Sequence, residues 1–403
     1  MAMNYNAPVD LGAGATPSTI GVQFNTEYYH KKGLIEAAKE TYFGQLADVT
    51  SMPKHFGKTI KTYHYMPILD DRNSTDQGLD AAGASYADGN LWGSSKDIGK
   101  INGKLPLVGE SGGRFNRVGQ TRLTIEADIT KLGFFTEYSK DSLQFDTDEE
   151  LYEHISREMI MAANEITEDV LQMDLLNGAG VNRFAGIASI PAEITGEGAD
   201  ISEVSYTDLQ RLAIDLDNNR TPKKTKVITG SRMVDTRVVA SGRYMYHGSE
   251  MVPTLSKMKD HHNNAAFVGV EHYAYNGVAG VNSINGEIGK VGDFRLIQVP
   301  EMEFWEGAGA AETGANAGYR ATGGNYDVFP MLVVGDGSFT TIGFQTDGKS
   351  TKFKIKHRMP ETDGAYTKDD PFGELGFTSI KWWYGTLVMR PERLAVVRTV
   401  AEI

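Results

Sequence analysis

The 403-residue chain contains no cysteine. That excludes a disulfide framework, a thiolate nucleophile and a cysteine-held metal, and it fits folding in a cytosol. No run of about 18 apolar residues occurs, so no membrane-spanning helix is expected. The first stretch, Met1 to Gly21, lacks a basic segment followed by an apolar one, which argues against a secretory signal. Proline is scarce at 13 and glycine plentiful at 45, which favours turns and bent strands over proline-rich structure. Positive charge is also short, for the net charge is -13. A protein that reads DNA sequence carries a basic patch, so tight phosphate binding is not the expected task.

Hydrophobic residues make up 40% of the chain, enough for a large core in two or three lobes. The dominant feature is a pairing of segments. A polar, glycine-rich excursion runs from about Gly57 to Thr130, and a long acidic amphipathic helix from about Asp148 to Asn177. A loop of roughly seventy residues carries an ordering cost that needs a partner. A subunit whose partners are copies of itself meets that cost across an interface. The excursion is bounded by two alternating segments. In Thr59–Tyr65, Ile60, Thr62 and His64 share a face; in Thr121–Ile129, Leu123, Ile125, Ala127 and Ile129 do. Between them, residues 70–116 carry isolated apolar anchors such as Leu79, Tyr86, Leu91 and Trp92. Thr147 and Glu150 form a capping box for the long helix, and Asn177-Gly178 reads as its left-handed stop. Its apolar face is predicted to be Leu151, Ile155, Met159, Ala162, Ile166, Val170 and Met173, with Met159 and Ile166 buried against C-terminal strands.

Elsewhere the pattern predicts a helix over Thr26–Leu46 and a separate α/β lobe over residues 180–330. Within that lobe it predicts a helix from Tyr206 to about Asn218, a strand at Thr225–Thr229 and a helix at Ser231–Ala240. Strands follow near Tyr273 and Ile288 and at Arg295–Val299, and Glu306–Asn325 reads as a surface loop. The tail returns to strands at Pro330–Val334, Phe339–Phe344 and Thr351–Ile355. It closes with two strands flanking Arg390-Pro391-Glu392-Arg393, expected beside the long helix.

Chemical motifs are few. His261-His262 with Asp260, Glu271 and His272 nearby lacks any metal-ligand spacing, and a solvated loop is the better account. Gly286–Lys290 has the wrong spacing for a phosphate loop, and the glycines from Gly277 to Gly292 fail the dinucleotide pattern. Asp146–Glu150 and Glu165–Asp169 are explained by capping and a solvated helix face, and Asp369-Asp370 by a loop. Trp382, Trp383 and Tyr384 could stack on sugars, but alternation within a strand accounts for them as core and helix packing. No catalytic, cofactor-binding or metal-binding residue is assigned, and no enzymatic activity is expected.

The ends of the chain carry a resemblance. Tyr28-Tyr29-His30-Lys31-Lys32-Gly33-Leu34, Leu46-Ala47-Asp48 and Met52–Ile60 at one end, and Gly376 to Arg398 through Trp382-Trp383-Tyr384-Gly385 at the other, resemble major capsid proteins of tailed bacteriophages. These have the Hong Kong 97-type fold, and the likeness is to the capsid family of Enquatro-type short-tailed phages. The resemblance implies an α+β fold with N-terminal arm (1–56), extended β-hairpin loop (57–132), peripheral domain with long spine helix and return strands (133–180 and 326–403) and axial domain (181–325). It implies copies of the chain as pentamers and hexamers of an icosahedral shell enclosing double-stranded DNA, with portal, scaffolding and decoration proteins as partners. Contact with packaged DNA would be weak and non-specific, with no membrane partner. The place would be the virion capsid, and the host cytoplasm during assembly. Lys96, Lys100 and Lys104 lie in the loop, but no lysine–asparagine cross-linking pair is located. A cargo-enclosing bacterial nanocompartment shell of the same fold, or a monomeric carbohydrate-binding or hydrolytic β-rich protein, are the alternatives.

Overall fold

The computed structural model describes residues 42–52, 57–65, 122–145, 151–198, 200–228, 236–240, 242–274, 286–314, 318–344, 353–361 and 370–403. The excursion 70–116 with its three lysines, the Thr147 capping box and all but the last turn of the Thr26–Leu46 helix lie outside them. That last turn, Phe43–Leu46, is a short 3-10 helix.

The elements follow in chain order. Strands β1 (Asp48–Met52), β2 (Thr59–Tyr65), β3 (Arg122–Asp128) and β4 (Thr130–Ser139) precede helices α1 (Lys140–Phe145) and α2 (Leu151–Asn177). Next come β5 (Val181–Phe184), α3 (Tyr206–Asn218), β6 (Lys224–Ile228), β7 (Thr236–Ala240), β8 (Arg243–Gly248) and α4 (Val252–Lys257). They are followed by β9 (Phe267–Gly269), α5 (Val270–Ala274), β10 (Glu287–Val291), β11 (Phe294–Val299), β12 (Ala321–Thr322) and β13 (Asn325–Tyr326). The chain ends with β14 (Phe329–Val334), β15 (Phe339–Phe344), β16 (Phe353–Arg358), β17 (Leu375–Tyr384), β18 (Thr386–Val388) and β19 (Leu394–Thr399).

A seven-stranded mixed sheet, ordered β5-β19-β14-β8-β11-β10-β9, forms the centre. Strands from both sides of residue 325 interleave in it. Its middle strands are buried on both faces, and their side chains alternate between two cores. Tyr244, Tyr246, Leu332, Val334, Leu394 and Val396 face one core. Met245, Met331, Val333, Ala395 and Val397 face the other, where Leu209, Leu212 and Leu216 of α3 cover them. The capping box of α3 is Ser205 with Asp208: each side chain accepts from the other's backbone N–H.

The first core also holds α2, which packs against β17 and β18 and the Phe43 turn. Its Ile155, Met159, Ala163, Leu171 and Leu175 join Tyr138, Ile380, Trp382 and Tyr384 from the antiparallel sheet β16-β17-β4. At 27 residues the helix is about 40 Å long. Every second residue of β17 from Gly376 to Tyr384 is buried toward it, and the alternate residues face outward. Gly376 is required by close packing, since a Cβ there would meet the Tyr138 ring at 2.5 Å.

Several expectations need correction. Ile166 and Met173 are 39% and 45% exposed, and the buried row of α2 runs instead through residues four apart from Ile155 to Ala163 and again from Leu171 to Leu175. Two apolar rows lie side by side on this helix, and the sheet covers only one. Gly178 is not left-handed; its bare Cα lets β18 approach, since a Cβ would meet Val388 Cγ2 at 2.9 Å. The helix expected at Ser231–Ala240 is a strand where described: Thr236–Ala240 pairs antiparallel with Lys224–Ile228. Adjacent β-branched Val238 and Val239 suit a strand over a helix. Tyr273 sits in α5, not in a strand.

Replacing Met159, 4% exposed, by Asp places a carboxylate in the core and should cost about 3 kcal/mol or more. The same change at Ile166 should alter subunit stability by no more than about 0.5 kcal/mol. Chemical denaturation of both unassembled variants checks this. Equal losses would contradict the placement of the buried row.

Candidate assembly surfaces

The hairpin of β2 and β3 is the first surface feature. Its seven-residue register runs from Thr59 opposite Asp128 to Tyr65 opposite Arg122. Polar contacts zip its open face: Lys61 Nζ donates to Glu126 Oε1 at 2.6 Å, Thr59 Oγ1 donates to Asp128 Oδ1 at 2.5 Å, and the Arg122 guanidinium lies 4.1 Å over the Tyr63 ring. Its other face, Ile60, Ile125 and Ala127, roots the hairpin on Ile129, Ile342 and Leu387. Trp383 packs there too. Trp382 points the opposite way, buried edge-on to Phe134 with ring centroids 6.0 Å apart. The two tryptophans thus serve different cores rather than one platform.

The second feature is a polar seam beneath α2. Tyr384 Oη donates to Asp174 Oδ2 at 2.6 Å and accepts from Thr386 Oγ1 at 2.6 Å. Glu168 Oε2 accepts the Phe43 amide at 3.1 Å. Burial, reinforced by Asp174, pushes the Tyr384 hydroxyl far above its usual range, so it stays a donor. Part of the helix's acidity is therefore spent on holding neighbouring elements, not on facing solvent. The deeply buried Arg243 donates to Asp217 Oδ1 at 2.6 Å and to the Thr221 carbonyl at 2.7 Å. Burial would raise the Asp217 carboxyl, but Arg243 and Lys223 together hold it below its usual range.

Two buried groups titrate abnormally. Burial raises Glu392, in the turn between β18 and β19, to about 7. Burial lowers His247, on β8, to about 4 against the pull of the Gly248 carbonyl, which sits 2.8 Å from Nδ1.

The remaining sequence candidates are dispersed or structural. Asp260 Oδ1 accepts the backbone N–H groups of His262 and Asn264, both at 2.8 Å. His261 Nε2 lies 2.8 Å from Gln210 Oε1, and its ring stands edge-on to Tyr206. Glu271 and His272 are exposed on α5. Among the described residues no three His, Asp or Glu side chains converge on a metal position. Asp370 accepts the amides of Glu374 and Leu375, a turn contact that lowers its carboxyl. Asp369 and Asp146–Glu150 lie outside the described residues.

What the surface does offer is a set of large apolar side chains in the open. Phe135, Ile166, Met173, Ile187, Ile214 and Phe372 are all exposed on a single subunit, as expected of a chain that covers them with other copies. Comparison with known proteins points the same way. The chain is 53% identical over 401 residues to the major capsid protein of Pseudomonas phage KPP21, covering 99% of this chain and 97% of that protein.

It belongs to the phage major capsid protein family.

No protein-family model matches the chain. The fold is shared with the capsid of Ralstonia phage GP4, at a TM-score of 0.58 and 10% identity, covering 96% of this chain and 99% of that one. The capsid asymmetric unit of cyanophage Pam1 gives 0.51 and 11%, covering 97% and 99%. The architecture is the Hong Kong 97-type α+β capsid fold, and the protein is a structural subunit of a phage virion capsid. A nanocompartment shell and a monomeric sugar-binding or hydrolytic protein are not favoured.

Tyr384→Phe removes both hydroxyl contacts of the seam and should destabilise the capsid subunit by about 2 kcal/mol, measured by urea unfolding. A loss below about 0.5 kcal/mol would mean the seam is not stabilising.

The pH dependence has two opposed parts. Glu392 binds its proton more tightly folded than unfolded, so its contribution is full below about pH 4.5 and lost as pH rises to about 7. His247 binds its proton less tightly folded, so its contribution is full above about pH 6.5 and lost as pH falls to about 4. Each amounts to on the order of 3 kcal/mol, and between those limits they offset. Glu392→Gln should therefore stabilise the subunit at pH 8 and make its Tm fall more steeply than that of the wild type on acidification. Parallel Tm-against-pH curves would contradict the assignment.

Proposed function

We propose that copies of this chain close into pentamers and hexamers of an icosahedral shell around double-stranded DNA. The observation that carries the proposal is the near full-length identity to a phage major capsid protein. The exposed apolar side chains of the lone subunit support it. The mechanism is assembly, not catalysis. Many heterologous contacts of moderate size repeat around local axes, closing because the rotations close and gaining strength by repetition.

In this reading residues 1–56 are the N-terminal arm and 57–132 the extended loop, carried on the β2–β3 hairpin. Residues 133–180 and 326–403 form the peripheral domain, and 181–325 the axial domain at capsomer centres. Portal, scaffolding and decoration proteins are the further partners, and assembly takes place in the host cytoplasm. Contact with packaged DNA is weak and not sequence-specific, consistent with the net charge of -13.

Deleting residues 70–116 tests the reading. The shortened subunit should keep the circular dichroism and Tm of the unassembled wild type, because the described cores do not include those residues. It should form no shells by light scattering and negative-stain microscopy, where the wild type does. Normal shells from the deletion would refute an assembly role for the loop, and no particles from the wild type would refute the shell reading itself.

A further inference from the structure

Two apolar features lie at opposite corners of the central sheet. The first is the loop after β5, residues 186–192. It contains no charged side chain. Ile187 and Ile190 are 76% and 51% exposed, and Pro191 and Ala192 are in the open beside them. Large apolar side chains that cluster in water mark a contact surface. The loop is also held in one shape. Glu193 Oε2 accepts the Ser189 amide at 2.8 Å and the Ser189 hydroxyl at 2.7 Å. The 3-10 turn Pro191–Glu193 closes behind them, with the Glu193 amide on the Ile190 carbonyl at 3.1 Å. Gly186 is left-handed and lets the chain turn close over Ile201, whose carbonyl would lie 3.0 Å from a Cβ there. Binding through a loop already in shape costs less ordering entropy.

The second feature is a groove of about 310 Å³ between α3 and the β10–β11 turn. Leu209, Val291 and Phe294 are its buried lining, and Tyr206, Ala213 and Ile214 are more open, Ile214 being 57% exposed. Its two acids, Asp217 and Asp293, are both engaged by Lys223 Nζ, at 3.5 Å and 2.6 Å. The groove therefore offers apolar surface with its charges already paired.

Loop and groove do not meet within one subunit. Pairing through β19, β14 and β8 makes β5 and β11 run the same way. The loop leaves the end of β5, whereas the turn at the groove enters the start of β11. Four strand spacings and the length of a strand lie between them, roughly 25 Å. A projection at one corner and a socket at the other suit a head-to-tail contact, which closes into a ring when its rotation closes. Two copies of a chain with net charge -13 repel each other, so surfaces that bring no free charge favour their contact.

We propose that the loop carrying Ile187 and Ile190 on one copy seats in the α3 groove of a second copy. The proposal rests on the shell reading and adds to it the two surfaces and the sense of the contact.

The absence of native cysteine supplies a clean test. Two full-length double variants are made, Ile187→Cys with Ile214→Cys and Ile190→Cys with Ile214→Cys. After assembly and oxidation at least one should run as a ladder of linked copies on a non-reducing gel. A disulfide needs Cα atoms within about 7 Å, so the two positions do not join inside one subunit. Each single variant should stay monomeric on the gel. If both double variants assemble and neither is linked, the seat is overturned. A ladder from a single variant overturns it too, because like positions would then be meeting. Separately, Ile187→Asp with Ile190→Asp should leave the Tm of the unassembled subunit unchanged, since both side chains are exposed, and lower shell yield about tenfold or more. Wild-type yield from this variant overturns the proposal. So does a fall in that Tm, because the loop would then pack on its own subunit. If the cysteine variants do not assemble, the aspartate variant carries the test alone. If the wild type gives no particles either, the shell reading fails first.

Discussion

The structure depends on the packing of one long helix, α2, against β17, β18 and the Phe43 turn. α2 buries Ile155, Met159, Ala163, Leu171 and Leu175 in a core that also takes side chains from β17, β8, β14 and β19. Each of the four larger side chains is worth about 1.5–3 kcal/mol relative to exposure. Without α2 the sheet β16-β17-β4 and one face of the seven-stranded sheet would lose the five side chains it adds to their shared core. The hairpin that carries the excursion is rooted at Ile129, Ile342 and Leu387, beside this junction. Its position is therefore inherited from the packing of α2 against β17 and β18.

Polar groups fix what apolar packing leaves loose. Hydrophobic contact is non-directional, so it does not by itself set how far α2 slides along β17. The Tyr384–Asp174 bond and the Phe43 amide on Glu168 do. These contacts tie the C-terminal strands and the first described turn to one helix, across more than a hundred residues of chain each. A subunit of this kind presents rigid surfaces to its neighbours, and a closed shell needs those surfaces at constant angles.

Much of this was legible in the sequence. Alternation in Gly376–Tyr384 correctly separated Trp383 from Trp382 and Tyr384. The run at Pro330–Val334 and the stretch after Arg393 were read as strands, and both lie in the central sheet. The bounding strands of the excursion were placed to within a residue. What failed had physical reasons. α2 carries apolar residues on more than one row, and only the partner decides which row is covered; Ile166 and Met173 lay on the uncovered one. Ser231–Ala240 is short enough that periodicity alone does not separate helix from strand. The relation between the Ile187 loop and the α3 groove was invisible because it arises from strand order, which sets β5 and β11 four spacings apart. The Glu392 and His247 environments likewise depend on burial, which spacing does not encode.

Hydrogen–deuterium exchange of the unassembled subunit tests the central role of α2 most directly. If the helix and the central sheet share one core as described, its amides from Ile155 to Leu176 exchange through the same global opening as those of β14 and β19, with equal protection. Exchange of α2 much faster than of those strands would contradict the account, since the helix would then open apart from the core it shares with them.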